Sequence, residues 1–235
     1  MPPASNSQTN NPPSPNSPSN GNQGNQNNGT NTEKFQSFRN QSKELITQTE
    51  KIIANYTKRI SEFKTANEKA KKEAQEIGQE FDMEQGEIGK VMKDLEHHLE
   101  IAKRNKTTLT DYTSEKDYQT FLSASSETQQ SNLDLIQDAI KHTIKSTQEN
   151  LSDCLNCTQK VIKVTEEMFQ ELKESGLDNE ELAKQEKELE ENKTTITNLQ
   201  TKLGELEKQS INEQIKTLSE VWTTFEKMEA QSEKD

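Results

Sequence analysis

The sequence predicts an all-α fold, in which three long helices form a coiled coil or an elongated helical bundle behind a disordered tail. All six prolines lie within residues 1–18, and proline breaks a helix because it lacks the N–H group and clashes with the preceding turn. The first charged residue is Glu33. Beyond it, apolar residues recur in steps of three and four, which is the spacing of one helical face.

The composition favours narrow helical contacts over a thick globular core. The chain is 27% hydrophobic, 5% aromatic and 30% charged, so it is poorer in apolar residues than an ordinary globular domain. A stripe along which two helices meet needs only about two apolar positions in seven. The net charge of −12 disfavours binding to nucleic acid or to anionic lipid.

Residues 1–32 form the predicted disordered tail. They consist largely of Asn, Pro, Ser and Gly, which offer too little apolar surface to offset the conformational entropy lost on folding. We expect this tail to act as a spacer or a short interaction arm.

Residues 33–104 are predicted to form one long coiled-coil helix. Gly78, Gly86 and Gly89 interrupt its good helix formers, and we expect a bend there because glycine costs about 1 kcal/mol relative to alanine in a helix. The apolar seam of this helix is Leu45, Thr49, Ile52, Tyr56, Ile60, Phe63, Ala66, Ala70, Ala74, Ile77, Phe81, Glu84, Ile88, Met92, Leu95, Leu99 and Ala102.

Residues 105–127 interrupt the pattern and are rich in Thr and Ser. We interpret them as a polar linker that contains the start of the next helix. Asp111, Thr113 and Ser114 each suit the N-cap of that helix, because their side-chain oxygens can accept a backbone N–H.

Residues 128–235 are predicted to form an antiparallel helical hairpin. Gly176 suits a left-handed C-terminal cap, and Asp178 with Glu181 resembles a capping box at the start of the third helix. After Gly204 the stripe of the third helix resumes one residue out of phase, and we expect this helix to continue. The second seam is Leu133, Ile136, Ile140, Ile144, Thr147, Leu151, Cys154, Thr158, Val161, Thr165, Met168 and Leu172; the third begins Leu182, Gln185, Leu189, Asn192, Ile196, Leu199, Leu203 and Leu206 and ends Ile211, Ile215, Leu218, Trp222, Phe225 and Met228.

The sequence contains no arrangement typical of an enzyme, a metal site or a cofactor site. Cys154 and Cys157 have CxxC spacing, but no second pair accompanies them, and a structural zinc needs four ligands. His97 and His98 are adjacent, so they point in different directions on a helix. No Gly-rich phosphate loop or nucleophile elbow occurs. We therefore predict a non-enzymatic protein that requires neither a metal nor a cofactor.

No stretch of the sequence is apolar enough to span a membrane. The longest apolar run, Ile52-Ile53-Ala54, is far shorter than the roughly 18 residues that a transmembrane helix needs. The N-terminus carries no apolar segment typical of a signal peptide. We therefore expect a soluble, intracellular protein.

Three segments of the first predicted helix match short motifs of a known family. The family's opening is similar to Phe38-Arg39-Asn40-Gln41-Ser42 with Leu45, Ile52-Ile53 and Asn55 after it; its Gln-Glu-Leu-Asp is similar to Gln79-Glu80-Phe81-Asp82; and its Gln-Gln-x-Glu-Leu-x-x-Leu-Leu-x-x-Leu-Glu is similar to residues 84–96. In these segments and in the order of its parts, the chain resembles the coiled-coil C-terminal domain of the central-channel FG nucleoporins of the Nsp type.

The resemblance implies a scaffold subunit that assembles with partner coiled coils at the nuclear pore and takes part in protein transport. No Phe-Gly dipeptide occurs in the chain, so such a subunit would hold its partners without supplying binding sites for transport receptors. The sequence leaves open a cytoskeletal, centrosomal or vesicle-tethering coiled-coil adaptor in the cytoplasm. A curved membrane-binding helical dimer is a third class, which should show a basic face.

We expect the chain to be an oligomer, formed with other coiled-coil proteins or with itself. The first predicted helix is longer than the second or the third, so its surplus length near residues 45–60 needs another chain to cover it. Apolar seams of this kind are unfavourable when left open to water. The predicted partner interface is Leu45, Ile52, Tyr56, Ile60, Phe63, Trp222 and Phe225.

Overall fold

The computed structural model describes residues 23–176 and 180–232, with the backbone alone for residues 23–28, 87, 88 and 232. Within these residues all regular structure is helical, which confirms the predicted all-α class. The three long helices of the prediction are replaced by six shorter ones and two 3-10 turns. The helices are α1 (Gln23–Glu76), α2 (Glu87–Tyr112), α3 (Glu115–Ser123), α4 (Ser126–Glu174), α5 (Glu180–Gly204) and α6 (Ile211–Ser232), and the 3-10 turns are Met83–Gln85 and Leu206–Lys208.

The predicted helix over residues 33–104 is two antiparallel helices. α1 ends at Glu76, the chain reverses, and α2 returns along α1. Ion pairs of 2.7 Å join Lys64 to Glu96 near the turn and Glu50 to Lys106 further from it. Because the partner residue number rises as the α1 number falls, the two helices run in opposite directions. The prediction of a single bent helix is therefore wrong.

Two glycines permit this reversal. Gly78 has a φ of 73°, in the left-handed region that glycine adopts without steric cost. A Cβ atom at Gly89 would lie 2.1 Å from the carbonyl oxygen of Glu84, so only glycine allows the chain to pass this close. The glycines that predicted a bend therefore mark a complete turn.

A side chain from α1 holds the turn closed. Asn67 is buried; its Oδ1 accepts the backbone N–H of Met83 at 2.8 Å, and its Nδ2 donates to Asp82 at 3.1 Å. Asp82 also accepts the backbone N–H of Glu84 at 3.0 Å. These hydrogen bonds, and the ammonium of Lys71, hold the pKa of Asp82 below its usual value. The reversal thus depends on contacts between residues far apart in sequence.

The third predicted helix is also broken, contrary to the expectation that it continues past Gly204. α5 ends at Gly204 and α6 begins at Ile211. Ser210 and Glu213 form a capping box at the start of α6: the N–H of Ser210 donates to Glu213 Oε2 at 2.9 Å, and the N–H of Glu213 donates to Ser210 Oγ at 3.4 Å. The hydroxyl and N–H of Ser210 lower the pKa of Glu213. The one-residue phase shift in the stripe therefore marks a helix end.

The predicted tail and linker are more helical than expected. α1 begins at Gln23 and so includes the last residues of the predicted tail, whereas residues 1–22 lie outside the described residues. The buried side chain of Asn31 donates to Gln129 of α4 at 3.3 Å. In the predicted linker, α2 continues to Tyr112 and α3 follows at once.

The predicted cap at Ser114 is confirmed, since its side chain accepts the backbone N–H of Asp117 at the start of α3. Ser125 caps α4 in the same way.

The predicted hairpin of residues 128–235 is present in its first part, where α4 and α5 pack antiparallel. Lys173 pairs with Glu186 and Lys193 with Glu166, each at 2.7 Å. Gly176 has the predicted left-handed conformation, with a φ of 88°. Asp178, the other predicted cap residue, lies outside the described residues.

α1, α4 and α6 run parallel to one another at the centre of the fold. Hydrogen bonds join α1 to α4 at two levels, and in both the partners are 98 positions apart: Asn31 with Gln129, and Tyr56 with Cys154. Contacts between α1 and α6 join residues 171 and 170 positions apart. A constant offset means parallel helices in register. The largest buried apolar side chains come from all three helices and from their neighbours, among them Phe35, Leu45, Ile52, Tyr56, Leu109, Phe121, Leu133, Ile140, Leu151, Leu155, Ile196 and Phe225.

Candidate functional site

The residues of the predicted partner interface mostly lie in the chain's own core. Phe63 is half-buried, and the other six are at most 7% exposed. The prediction that the length near residues 45–60 stands uncovered is wrong, because the first helix folds back as α2 and its inner face packs against α4 and α6 of the same chain. These six residues are Leu45, Ile52, Tyr56, Ile60, Trp222 and Phe225.

The structure separates the two cysteines. Cys154 is buried with its Sγ 3.5 Å from the hydroxyl of Tyr56, whereas Cys157 is exposed, and both are free thiols. Burial raises the pKa of the Cys154 thiol and that of the Tyr56 hydroxyl, so both groups remain protonated at neutral pH. His98 approaches Asp153 at 3.4 Å. Among the described residues, no group of three or more His, Cys, Asp or Glu side chains is placed to hold a metal ion.

A cleft opens where α6 ends, between α1, α4, α5 and the last turns of α6. Its volume is about 610 Å³. The cleft continues the groove in which α6 packs, since Met228 and Glu229 of α6 form its near end. The lining residues are Asn55, Lys58, Arg59, Glu62, Cys157, Thr158, Val161, Ile162, Thr165, Leu189, Asn192, Met228 and Glu229.

The two sides of the cleft differ in chemistry. α1 contributes only polar and charged side chains, and one of these, Arg59, forms a half-buried ion pair with Glu229 of α6. The opposite side is mixed: Val161 and Ile162 from α4 and Leu189 from α5 are apolar, and Thr158, Thr165 and Asn192 lie between them. A ligand that fills the cleft can therefore bury apolar surface against α4 and α5 but meets only polar groups on α1.

From the cleft, a row of exposed apolar side chains runs along α4 to the end of the helix. Val161 is 65% exposed, Val164 55%, Met168 56% and Leu172 38%. Their steps of three and four residues place them on one face of the helix. We call these four residues the α4 stripe.

A neighbouring face of this part of α4 packs on α5. Glu166 and Lys173 lie on that face, because they form ion pairs with Lys193 and Glu186 of α5. Ile162 and Phe169 share it, since 162, 166, 169 and 173 also follow steps of three and four. The second half of α4 thus has two apolar faces, of which α5 covers one.

Charges beside the α4 stripe change sign along the helix. Lys160 and Lys163 flank its first half, and Glu167, Glu171 and Glu174 flank its second half; all five are exposed. Lys163 and Glu167 approach at only 3.9 Å, with side chains 76% and 64% exposed, so this pair contributes little.

The sequence does not predict the α4 stripe. Val161, Met168 and Leu172 belong to the predicted seam of the hairpin, whereas in the structure α5 leaves these side chains exposed. The sequence does contain a signal of the second face, because Ile162 and Phe169 each follow a residue of that seam. Two adjacent apolar rows on one helix indicate two packing faces, whereas the predicted hairpin accounts for only one of them.

None of the described helices combines the length and the apolar character that crossing a lipid bilayer requires.

Comparisons with protein-family models, with curated proteins and with solved structures found no match for this chain.

Proposed function

We propose that the chain is a non-enzymatic helical scaffold subunit that assembles with another α-helical chain through the cleft and the α4 stripe. The observation that carries the proposal is the stripe itself, four large apolar side chains in a continuous row that the described residues leave 38 to 65% exposed. Single exposed apolar residues, such as Leu135, are ordinary on protein surfaces. A continuous row that opens into a cleft is typical of an interaction surface.

The shape of the surface favours a helix as the bound partner. The cleft prolongs the groove that α6 already occupies, so a helix fits there with the same apolar side turned towards α4. The three- and four-residue steps of the α4 stripe are those on which side chains of two helices interdigitate. Amphipathic helices bind grooves of this type through apolar residues at the same spacing.

The chemistry of the cleft supports binding more than catalysis. Its most buried charges, Arg59 and Glu229, pair with each other and join α1 to α6. Such a pair keeps the cleft closed at its α6 end and leaves neither charge free to act on a substrate.

By its resemblance to the Nsp-type nucleoporins, we further propose that the partner is a coiled-coil protein and that the complex is part of the nuclear pore. A cytoskeletal, centrosomal or vesicle-tethering adaptor is the alternative. The location of the tagged full chain in its native cells distinguishes them: a ring at the nuclear rim supports the pore, whereas filaments, centrosomes or vesicles support an adaptor.

Site-specific photocrosslinking tests the proposed surface. A photoreactive amino acid replaces Val164 in the full chain, and a matched variant carries it at Leu135, an exposed apolar residue in the other half of α4. We expect the Val164 variant to crosslink in cells to a helical region of another chain, and the Leu135 variant not to do so. An equal yield from both positions, or none from Val164, would overturn the proposed function.

A further inference from the structure

We propose that the helix that covers the α4 stripe is the α4 stripe of a second copy of the chain, packed antiparallel about a two-fold axis. This inference rests on the proposed function, because it names the partner of the same surface.

The apolar side chains of the stripe are complementary to themselves in this arrangement. A two-fold axis near residues 166 and 167 places Val164 of one copy beside Met168 of the second, and Val161 near Leu172 of the second. In each of these pairs, a short β-branched valine of one copy contacts a longer side chain of the other copy. Antiparallel pairs of helices bury this kind of stripe by interdigitation.

The charges beside the stripe select the antiparallel direction. Residues 160, 167, 171 and 174 lie on the same side of the stripe, because their spacing follows the helical repeat. An antiparallel pair sets the basic start of this flank, Lys160 and Lys163, against Glu171 and Glu174 of the second copy. A parallel pair would instead set this charged flank against the other flank of the second copy, which carries Thr158 and Thr165, and these attractions would be lost.

Within residues 23–176 and 180–232, the chain offers no comparable cover for the stripe. Across the cleft, α1 presents Asn55, Lys58, Arg59 and Glu62, and Lys64, Lys69 and Lys72 line a second groove further along α1. Closing α1 onto the stripe would bury these polar groups against apolar ones, which costs free energy unless each finds a partner. A second stripe buries apolar surface against apolar surface.

Charge reversal tests the pairing. In the full chain, one variant combines Lys160→Glu with Lys163→Glu, and another combines Glu171→Lys with Glu174→Lys. We expect sedimentation equilibrium to show a dimer for the unchanged chain, and dissociation constants about tenfold higher for each variant alone, because attractive pairs become repulsive. Mixing the two variants should restore association as a heterodimer.

The matched control is the double variant Lys141→Glu with Lys145→Glu, which makes the same charge change at exposed positions in the first half of α4. It should dimerise like the unchanged chain. All six positions are exposed helical sites, so circular dichroism should show equal helix content in every variant. A dimer that is unaffected by the variants at Lys160 and Lys163 or at Glu171 and Glu174, or that weakens as much with the control, would overturn the inference.

A distance measurement tests the direction. A spin label on the exposed Cys157 leaves the buried Cys154 unmodified. With 1.5 Å of rise per residue, the antiparallel dimer places the two labels about 30 Å apart, whereas a parallel dimer places them about 10 Å apart. The shorter distance, or a chain that stays monomeric over the whole micromolar range, would overturn the inference.

Photocrosslinking from Val164 separates this inference from the proposed function. Crosslinks to residues 161–172 of a second copy support both. Crosslinks to a different protein alone support the proposed function and overturn the second copy as partner. Absence of any crosslink to another chain overturns both.

Discussion

The two halves of α4 carry the same kind of apolar row but differ in what covers it. In the first half, every leucine and isoleucine side chain from Leu133 to Leu155 except that of Leu135 is at most 4% exposed. In the second half, the α4 stripe is 38 to 65% exposed. The first row is covered because α1, α2 and α6 pack on that part of α4, whereas α6 ends at Ser232 beside the cleft. The periodicity of apolar residues therefore indicates that a helix face packs against another surface, but it does not identify that surface.

The strongest test of this comparison places a charge on each row. Ile140→Asp should lower the free energy of unfolding by at least about 4 kcal/mol or prevent folding, because Ile140 is fully buried and a buried unpaired carboxylate is costly. Val164→Asp should change it by less than about 0.5 kcal/mol, as expected at an exposed site, when the chain is kept below the dissociation constant of the proposed dimer. Urea unfolding followed by circular dichroism measures both. Equal losses would show that the α4 stripe is covered in the isolated chain.

Charges on the inward face of α1 should have an equally large effect. Ile52→Asp and Ile60→Asp place carboxylates in the chain's own core. We expect each to unfold the bundle, because a buried unpaired carboxylate is costly, and circular dichroism measures the loss of helix.

A milder test removes apolar volume from matched leucines of α4. Leu155→Ala should cost about 2–5 kcal/mol, since it leaves a cavity in a closely packed site. Leu172→Ala should cost less than about 1 kcal/mol because its side chain is already partly in solvent. Thermal unfolding of both variants measures the two losses of stability, and equal losses would contradict the assignment of Leu172 to an open face.

The third test concerns the turn that brings α2 back onto α1 and α4. Gly89→Ala should destabilise the protein by about 1–3 kcal/mol, because the added Cβ overlaps the backbone of Glu84 and must displace it. Gly86→Ala is the matched control, since its nearest contact would be an ordinary 3.7 Å, and its cost should stay below about 1 kcal/mol. Chemical denaturation of both variants measures the two effects. If Gly89→Ala is neutral, the turn is not held in the described geometry.

The smallest expected effect is at the start of α6, the helix that covers the first row and not the second. Ser210→Ala should cost about 1 kcal/mol at neutral pH through loss of the N-cap. Ser37→Ala, at an exposed position within α1, is the control and should be close to neutral.

The cost of Ser210→Ala should also depend on pH. Ser210 lowers the pKa of Glu213 in the folded chain. The resulting stabilisation is complete above the unfolded pKa of about 4.3 and is lost as pH falls through the lower folded pKa. Unfolding at neutral and acid pH checks this, and a cost that grows in acid would contradict the capping box.

The sequence by itself determined the features that depend on neighbouring residues. The absence of proline after residue 18 and of charge before Glu33 separated a polar start from a helical body, and backbone hydrogen bonding within a helix is local. The caps at Ser114 and Gly176 were predictable because each involves groups within a few positions of each other. The inward faces of α1 and of the first half of α4 followed from spacing alone.

Tertiary structure decided the features that depend on distant residues. The reversal after Glu76 requires Asn67 to reach Met83 across the turn, and no repeat in the sequence encodes that contact. An apolar seam has the same spacing whether the helix continues or the chain folds back as a second helix, because both arrangements keep apolar residues in steps of three and four. For the same reason the α4 stripe was assigned to the hairpin: which side of a two-faced helix is covered depends on where the neighbouring helices end.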